Sequence, residues 1–233
     1  MTDYEEAQAP TSRRGDGQAP QKRLSDVAYE RILEGLFARK LPAGAFVSQS
    51  KLVDLLDIPV APLRDALRVL ETEGMLKIHP RSGIEFVRPG LELTRSTYQF
   101  RSIIERPAVR FFAETAQDET IAEELDRQRA LAGRIRDNGL GAAELAGLEE
   151  AEKLHELIVG SFQNPLIDSS HRRIRHYLRL VRLDRRMTPP LALHSVDEHI
   201  AVLVACADRD LERADAALKA HLDQALARHM GLS

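Results

Sequence analysis

The chain has 233 residues, is 43% hydrophobic, carries a formal net charge of -3 and contains one cysteine. That apolar content suffices for packed cores and excludes disorder throughout, while the lone Cys206, inside an apolar helical pattern, excludes an internal disulfide framework and suits a reducing cytosol. The strongly apolar run Ile200 to Ala207 is far shorter than the roughly 20 residues a bilayer requires, so the sequence predicts a soluble, cytoplasmic protein with no membrane partner.

Residues 1–21 mix Pro, Gly, Gln, Ser and charges without periodicity and read as a flexible arm. Arg13 and Arg14 in it are either DNA contacts or, as is usual for termini, part of a solvated tail. Residues 22–88 form a first domain that is weakly basic, with 11 Lys and Arg against 9 Asp and Glu. Any affinity for DNA must therefore come from locally placed cations and from two copies acting together. A first helix follows Ser25 and runs to about Lys40, with Val27, Ala28, Ile32, Leu33 and Leu36 inward, and Leu41-Pro42-Ala43-Gly44 ends it.

Residues 48–70 predict two short helices with a tight turn at Asp57-Ile58-Pro59, which is a helix-turn-helix. Ser48 is an N-cap residue, and Leu52, Leu55 and Leu56 recur behind it at helical spacing. In the second helix Leu63, Ala66, Leu67 and Leu70 make the buried stripe, which leaves Val60, Ala61, Arg64 and Arg68 facing out as a recognition surface. After the stop at Glu73-Gly74, two β-prone runs, Met75 to His79 and Ile84 to Val87, are joined by Pro80-Arg81-Ser82-Gly83. Three helices followed by a hairpin tipped with Arg81 and Ser82 predict a winged helix whose wing can reach a phosphate or the minor groove.

These residues carry a resemblance. Leu41-Pro42-Ala43-Gly44, Ser48, Leu52, Pro62-Leu63-Arg64-Asp65-Ala66-Leu67, Leu70-Glu71, Glu73-Gly74-Met75-Leu76 and Arg81-Ser82-Gly83 are similar to the N-terminal domain of GntR-family bacterial transcription regulators. The resemblance implies that the partner is a double-stranded DNA operator, contacted through Ser48, Val60, Ala61, Arg64, Arg68, Arg81, Ser82 and Gly83. Where the family usually has Ser-Arg-Thr before the proline, this chain has Pro59-Val60-Ala61, and Asp57 and Ser50 stand where the family has glycine and arginine. Val60 can pack on a thymine methyl but cannot grip guanine as an arginine does, so an altered operator is expected.

Arg88-Pro89-Gly90 closes the first domain; residues 89–93 read as a linker and residues 94–233 as a second, all-helical domain. Helices are expected at about 94–115, with a kink at Pro107, then 119–137, 142–162, 166–187, 191–207 and 211–229, making a six-helix bundle. The fold class is thus mainly α, a winged helix-turn-helix plus a helical bundle. His155, His199 and His221 each sit among helical apolar residues; they are either ordinary partly buried histidines, the commoner situation, or a set converging on a divalent metal.

Phe100-Arg101-Ser102-Ile103-Ile104-Glu105, Leu154-His155, Gln163-Asn164-Pro165-Leu166, Glu198-His199 and His221-Leu222 resemble the C-terminal effector-binding domain, called FCD, of the FadR-type branch, in its six-helix, vanillate-regulator-like form. That resemblance implies a homodimer, a small organic acid as effector with Arg101 and Asn164 as its contacts, and His155, His199 and His221 as metal ligands. Imidazole donors favour zinc or nickel over magnesium. In metal-binding members an aspartate four residues before the first histidine completes the set, and here that position is Ala151. Glu150 and Glu152 flank it, but one α-helical step turns a side chain by roughly 100°, so neither substitutes without a shift. Arg101 and Glu105 lie one helical turn apart and can also pair.

The leading reading is a ligand-responsive transcription regulator, more often a repressor in this family. One alternative is an enzyme using the three histidines as a catalytic zinc site, although no nucleophile motif or phosphate loop accompanies them. Another is a dimeric DNA-binding protein that senses nothing, whose bundle core would be dry and filled.

Overall fold

The computed structural model describes residues 22–41, 43–183 and 186–231. The expected arm at 1–21, with Arg13 and Arg14, and Pro42 of the first helix stop lie outside the described residues. Helix α1 (Leu24–Phe37) buries Ala28, Ile32, Leu33 and Leu36. Helix α2 (Gln49–Leu56) starts at Ser48, whose side chain accepts the Lys51 backbone N–H, and ends on Asp57 in the left-handed conformation (φ 49°). Leu55, which recurs with Leu52 and Leu56 at helical spacing, is 49% exposed, because a helix of two turns buries only a narrow stripe, here Leu52 and Leu56. Helix α3 (Val60–Thr72) buries Leu63, Ala66, Leu67 and Leu70, as its periodicity required.

The wing is formed by β2 (Leu76–His79) and β3 (Gly83–Phe86), paired antiparallel with His79 opposite Gly83. A further two-residue strand, β1 (Phe46–Val47), adds to the other edge of β3 and was not expected. The wing turn places Arg81 at φ 67° after Pro80, and the Ser82 N–H donates to the His79 carbonyl at 3.1 Å. Gly83 cannot be replaced without strain: its φ is 117° and a Cβ there would lie 2.8 Å from the Val47 carbonyl oxygen of β1.

The second domain holds seven helical segments among the described residues: α4 (Leu91–Thr115), α5 (Asp118–Asn138), α6 (Ala142–Ala151), α7 (Leu154–Gly160), α8 (Pro165–Leu183), α9 (Pro189–Ala207) and α10 (Leu211–Met230). The expected helix 142–162 is therefore two segments. At the break the Lys153 N–H donates to Glu150 and the His155 N–H to Glu152, three residues back rather than four, which is a 3₁₀ turn. Helix α4 continues through Pro107. Pro189 and Pro190, expected as a separator, form the first turn of α9, where a missing N–H has no intrahelical partner to lose. Helix α10 packs between α4 and α9, α5 covers the far side of α9, and α7 and α8 lie against α4. Only α9, among the described residues, is long and apolar enough by composition to cross a membrane; its Val196, Val202, Leu203 and Cys206 are buried inside the bundle.

Helix α8 belongs to both domains. Its Leu178 packs in the bundle core, whereas Leu180, 2% exposed, packs with the core of the winged helix together with Tyr177 and Leu183. The Tyr177 hydroxyl donates to the Glu73 carbonyl at 2.5 Å, the Tyr29 hydroxyl donates to Glu73 Oε2 at 2.8 Å, and Arg179 stacks on Phe37 at 4.2 Å. His176 sits between Tyr29 and Phe37. Burial first, then Arg175, Arg172 and Arg179, push its imidazole down to about 4. A free histidine titrates near 6.5, so between those values the separated domains bind a proton that the docked form refuses. Docking is accordingly favoured above about pH 6.5 and weakens as pH falls toward 4. Limited proteolysis of the connection at 87–90 is expected to be faster at about pH 5 than at 7.5, and His176→Gln is expected to flatten that dependence; equal profiles for the two proteins would refute it.

Candidate functional site

Helix α3 presents Val60, 50% exposed, with Ala61, Arg64 and Arg68, all on the side away from its buried stripe. Arg81 and Ser82 stand exposed at the tip of the wing. Among the described residues no hydrogen bond or ion pair engages the guanidinium groups of Arg64, Arg68 or Arg81, so their charges face solvent undiverted. Ser48 is held locally: its Oγ accepts the Lys51 N–H at 3.2 Å and lies 3.1 Å from Ser50 Oγ.

In the bundle, α7, α9 and α10 bring His155, His199 and His221 together, each 3% exposed or less. One ring nitrogen from each lies within 4.8 Å of the others, and ring centroids are 4.7–5.1 Å apart. His221 Nδ1 lies 2.7 Å from Glu198 Oε2; donating there frees Nε2 as a lone-pair donor, the arrangement carboxylates impose on metal-bound imidazoles. Glu198 is itself gripped by both terminal nitrogens of Arg228 at 2.8 Å. Burial would raise the Glu198 carboxyl, but Arg228 and His221 hold it below its usual range.

The nitrogens left over point to the same place. Both nitrogens of His155, both of His199 and His221 Nε2 are buried without hydrogen-bond partners. An unsatisfied buried polar group costs about 1–3 kcal/mol, and such costs collect where a ligand or ion satisfies them. Burial first, then the nearby Arg101 charge, lowers His155 to about 4, and burial followed by His221 lowers His199 well below the ordinary range. His155 and His199 are thus held neutral, the form that binds a metal. This donor set fits a borderline-soft divalent cation.

Arg101 from α4 is 1% exposed and forms a bidentate pair with Glu105, Nε to Oε1 at 2.7 Å and the second nitrogen to Oε2 at 3.2 Å. Burial would raise Glu105, but Arg101 and then His155 hold it well below the usual carboxylate range. Glu105 also lies 3.2 Å from His171 Nε2 and 2.9 Å from His155 Nδ1, the latter off the line of a good hydrogen bond. The other terminal nitrogen of Arg101, Nη1, is buried without a partner. Arg101, His155 and His221 share the wall of one cavity of about 550 Å³, a size that suits a small organic ligand. The bundle is thus not filled where Arg101, His155 and His221 meet.

Asn164 corrects an expectation. Its Oδ1 accepts the backbone N–H groups of Leu166 (3.0 Å) and Ile167 (3.4 Å), so it caps α8 and is not among the residues lining the cavity. Ala151 packs with Leu131, Ile135 and Val196, away from any ligand role. Reading from sequence gave no role to Glu198, Arg228 or His171. The Glu198-His199 neighbourhood was the only signal for the first, since the others are brought in by tertiary packing.

A winged helix joined through α8 to a helical bundle with a histidine-walled cavity defines a two-domain DNA-binding regulator. The chain belongs to the gntR family of bacterial regulatory proteins that carry an FCD domain: the gntR family matches residues 24–86 and the FCD domain residues 96–224. It is 28% identical over 183 residues, 78% of this chain and 82% of the relative, to the Nta operon transcriptional regulator of Aminobacter aminovorans. Its identity to the transcriptional repressor NanR of Klebsiella aerogenes is 25% over 86% of this chain and 83% of that one. The match to the regulator YdhC of Bacillus subtilis, at 25%, spans 58% of this chain and 59% of YdhC. Among solved structures, McbR/YncC of E. coli has a TM-score of 0.70 at 19% identity, covering 91% of this chain and 99% of that one. A GntR regulator of Rhodococcus sp. RHA1 has a TM-score of 0.72 at 20% identity, covering 90% and 98%. The family consists of transcription regulators, not enzymes, which sets aside the catalytic-zinc alternative.

Proposed function

We propose that this transcription regulator senses a small carboxylate through its bundle cavity, with a zinc-class cation on His155, His199 and His221 as part of the receptor. The observation that carries the reading is the gathering of unpartnered nitrogens of His155, His221 and Arg101 on the wall of one cavity, with the unpartnered ring of His199 packed against the first two. A bound cation supplies positive charge and a coordination position for an acid's oxygen; Arg101 supplies a planar fork for the carboxylate, held in place by Glu105. His221 is oriented by Glu198, so its donor nitrogen is set before any ion arrives.

On the DNA side, Arg64 and Arg68 with the Arg81 wing tip are the operator contacts, and Val60 and Ala61 replace polar readout with apolar contact. Two copies act together, because one winged helix with so little net charge reads too few base pairs. The α4 face carrying Phe100, Ile103 and Phe111, with Ile103 70% exposed, is the apolar stripe that a second copy covers. Effector binding shifts the separation of the two heads, and release from the operator is the family's commoner outcome.

The test is an operator titration with and without zinc and a panel of small carboxylic acids. Acids shown by calorimetry to bind are expected to change operator affinity; unchanged affinity with every such acid would defeat the sensing role. Arg64→Ala is expected to weaken operator binding by about 1–3 kcal/mol and to relax preference at one base pair, whereas a loss equal on all sequences would make Arg64 a phosphate contact only.

A further inference from the structure

The position that carries aspartate in metal-binding relatives is Ala151, whose methyl group packs into the α5–α9 core. A three-imidazole set lacks the carboxylate that would balance a divalent charge. The break between α6 and α7 changes which neighbour can supply one. In a continuous α-helix, positions i and i+3 are about 60° apart around the axis, but in a 3₁₀ turn they eclipse. The His155 N–H donates to the Glu152 carbonyl at 3.3 Å, so the turn that links these two residues has the tighter form. It brings Glu152 Oε2 within 3.8 Å of His155 Nε2, which has no hydrogen-bond partner.

We infer that Glu152 is the fourth protein ligand of the cation, and that it reaches the cation by exchanging it for Arg182. Donors bonded to zinc at about 2.0–2.1 Å stand roughly 3.3 Å from one another, so the 3.8 Å gap to His155 is half an ångström too long. Glu152 does not lie within 4.8 Å of all three imidazole donors, and a turn of its side chain is needed to close on them. What opposes that turn is Arg182 of α8, whose guanidinium donates to Glu152 Oε2 at 2.7 Å. Glu152 is partly exposed and presents one oxygen, Oε2, to both the Arg182 guanidinium and His155 Nε2, so its side chain must turn from the first to close on the second. Exchange from Arg182 to the cation frees the arginine on the cavity wall, one residue before Leu183, which packs against the winged-helix core.

The inference rests on the three-histidine reading, and its test separates the two. Wild type, Glu152→Gln, Arg182→Gln and His199→Ala are titrated with Co(II) and Zn(II) against a chromophoric chelator, with the Co(II) visible spectrum recorded and folding checked by circular dichroism. Glu152→Gln is expected to bind zinc about 100-fold more weakly, at the upper end of what losing even an outer-shell partner costs, and to shift the Co(II) bands. Arg182→Gln, which removes the competitor, is expected to bind several-fold more tightly than wild type. Opposite signs for these two variants are not what a purely structural Glu152–Arg182 ion pair gives, because breaking that pair from either side would loosen the site alike. If wild type binds Co(II), His199→Ala does not, and Glu152→Gln keeps wild-type affinity and spectrum, Glu152 is no ligand and the three-histidine site stands. If wild type binds neither ion, both are overturned.

Discussion

Zinc at about 100 times its dissociation constant is expected to stabilise this protein by about 2.7 kcal/mol, and His199→Ala is expected to abolish that gain. For a chain of this size the shift in Tm is roughly 5–10 °C. His199 is the informative position because neither of its ring nitrogens has a hydrogen-bond partner, although the side chain is 1% exposed on the core helix α9. A histidine kept for structure loses hydrogen bonds when it is removed. Here alanine leaves a small cavity but also removes unsatisfied polar atoms, and the two effects oppose each other. The metal-free variant is therefore expected to melt within a few degrees of metal-free wild type, while the response to zinc disappears. Magnesium, which demands oxygen donors, is expected to give no rise in either protein. Equal stabilisation by magnesium, or a zinc response that survives His199→Ala, would remove the imidazole site. The measurement is a thermal melt by circular dichroism after chelator treatment, with each metal added back.

The winged helix was legible in the sequence because its cues are local. The stripe of Leu63, Ala66, Leu67 and Leu70, the stop at Glu73-Gly74 and the turn at Pro80 to Gly83 each act within one or two helical turns, and the structure places each of them there. Strand β1 is two residues long, too short for any alternation to register, and exists because β3 offers it an edge. The three histidines were legible as a set from the family pattern, though their convergence depends on three separate helices. Glu152 was not legible. Rotation by 100° per residue argues against it, and a change from four-residue to three-residue hydrogen bonds over a single turn leaves no mark in composition. Asn164 misled for the opposite reason: a residue in a family motif just before Pro165 looks like a ligand contact, whereas its amide oxygen is occupied by the first turn of α8.

Helix α8 was read as an ordinary bundle helix, but its second face joins the bundle to the winged helix. Leu178 and Leu180 are two steps apart, roughly 200° around the helix, so one faces the bundle core and the other the core of the winged helix. Ile174, Leu178 and Arg182 meanwhile line the cavity. An occupant that moves this wall moves a rigid rod whose other side is packed into the DNA-binding domain at interior density, and packed cores do not absorb such shifts continuously. Gly74 reinforces the joint: its φ is 75°, and a Cβ there would stand 2.4 Å from the Tyr177 hydroxyl, so the two surfaces meet with no room for a side chain. Leu180→Ala is expected to open this joint. Its cost in stability is about 2–5 kcal/mol, since the residue is 2% exposed. Zinc binding and effector binding are expected to persist because neither site includes Leu180, and operator binding by the winged helix is expected to persist at temperatures where the variant is folded. The coupling is what fails: an effector that changes wild-type operator affinity by 5–150-fold, the usual range for allosteric control, is expected to change that of Leu180→Ala by less than about 3-fold. Tyr177→Phe, which loses only the hydrogen bond to the Glu73 carbonyl, is expected to fall between the two. Operator affinities measured by fluorescence anisotropy with and without effector decide the matter: a Leu180→Ala protein that retains the full wild-type response transmits the signal by some path other than α8.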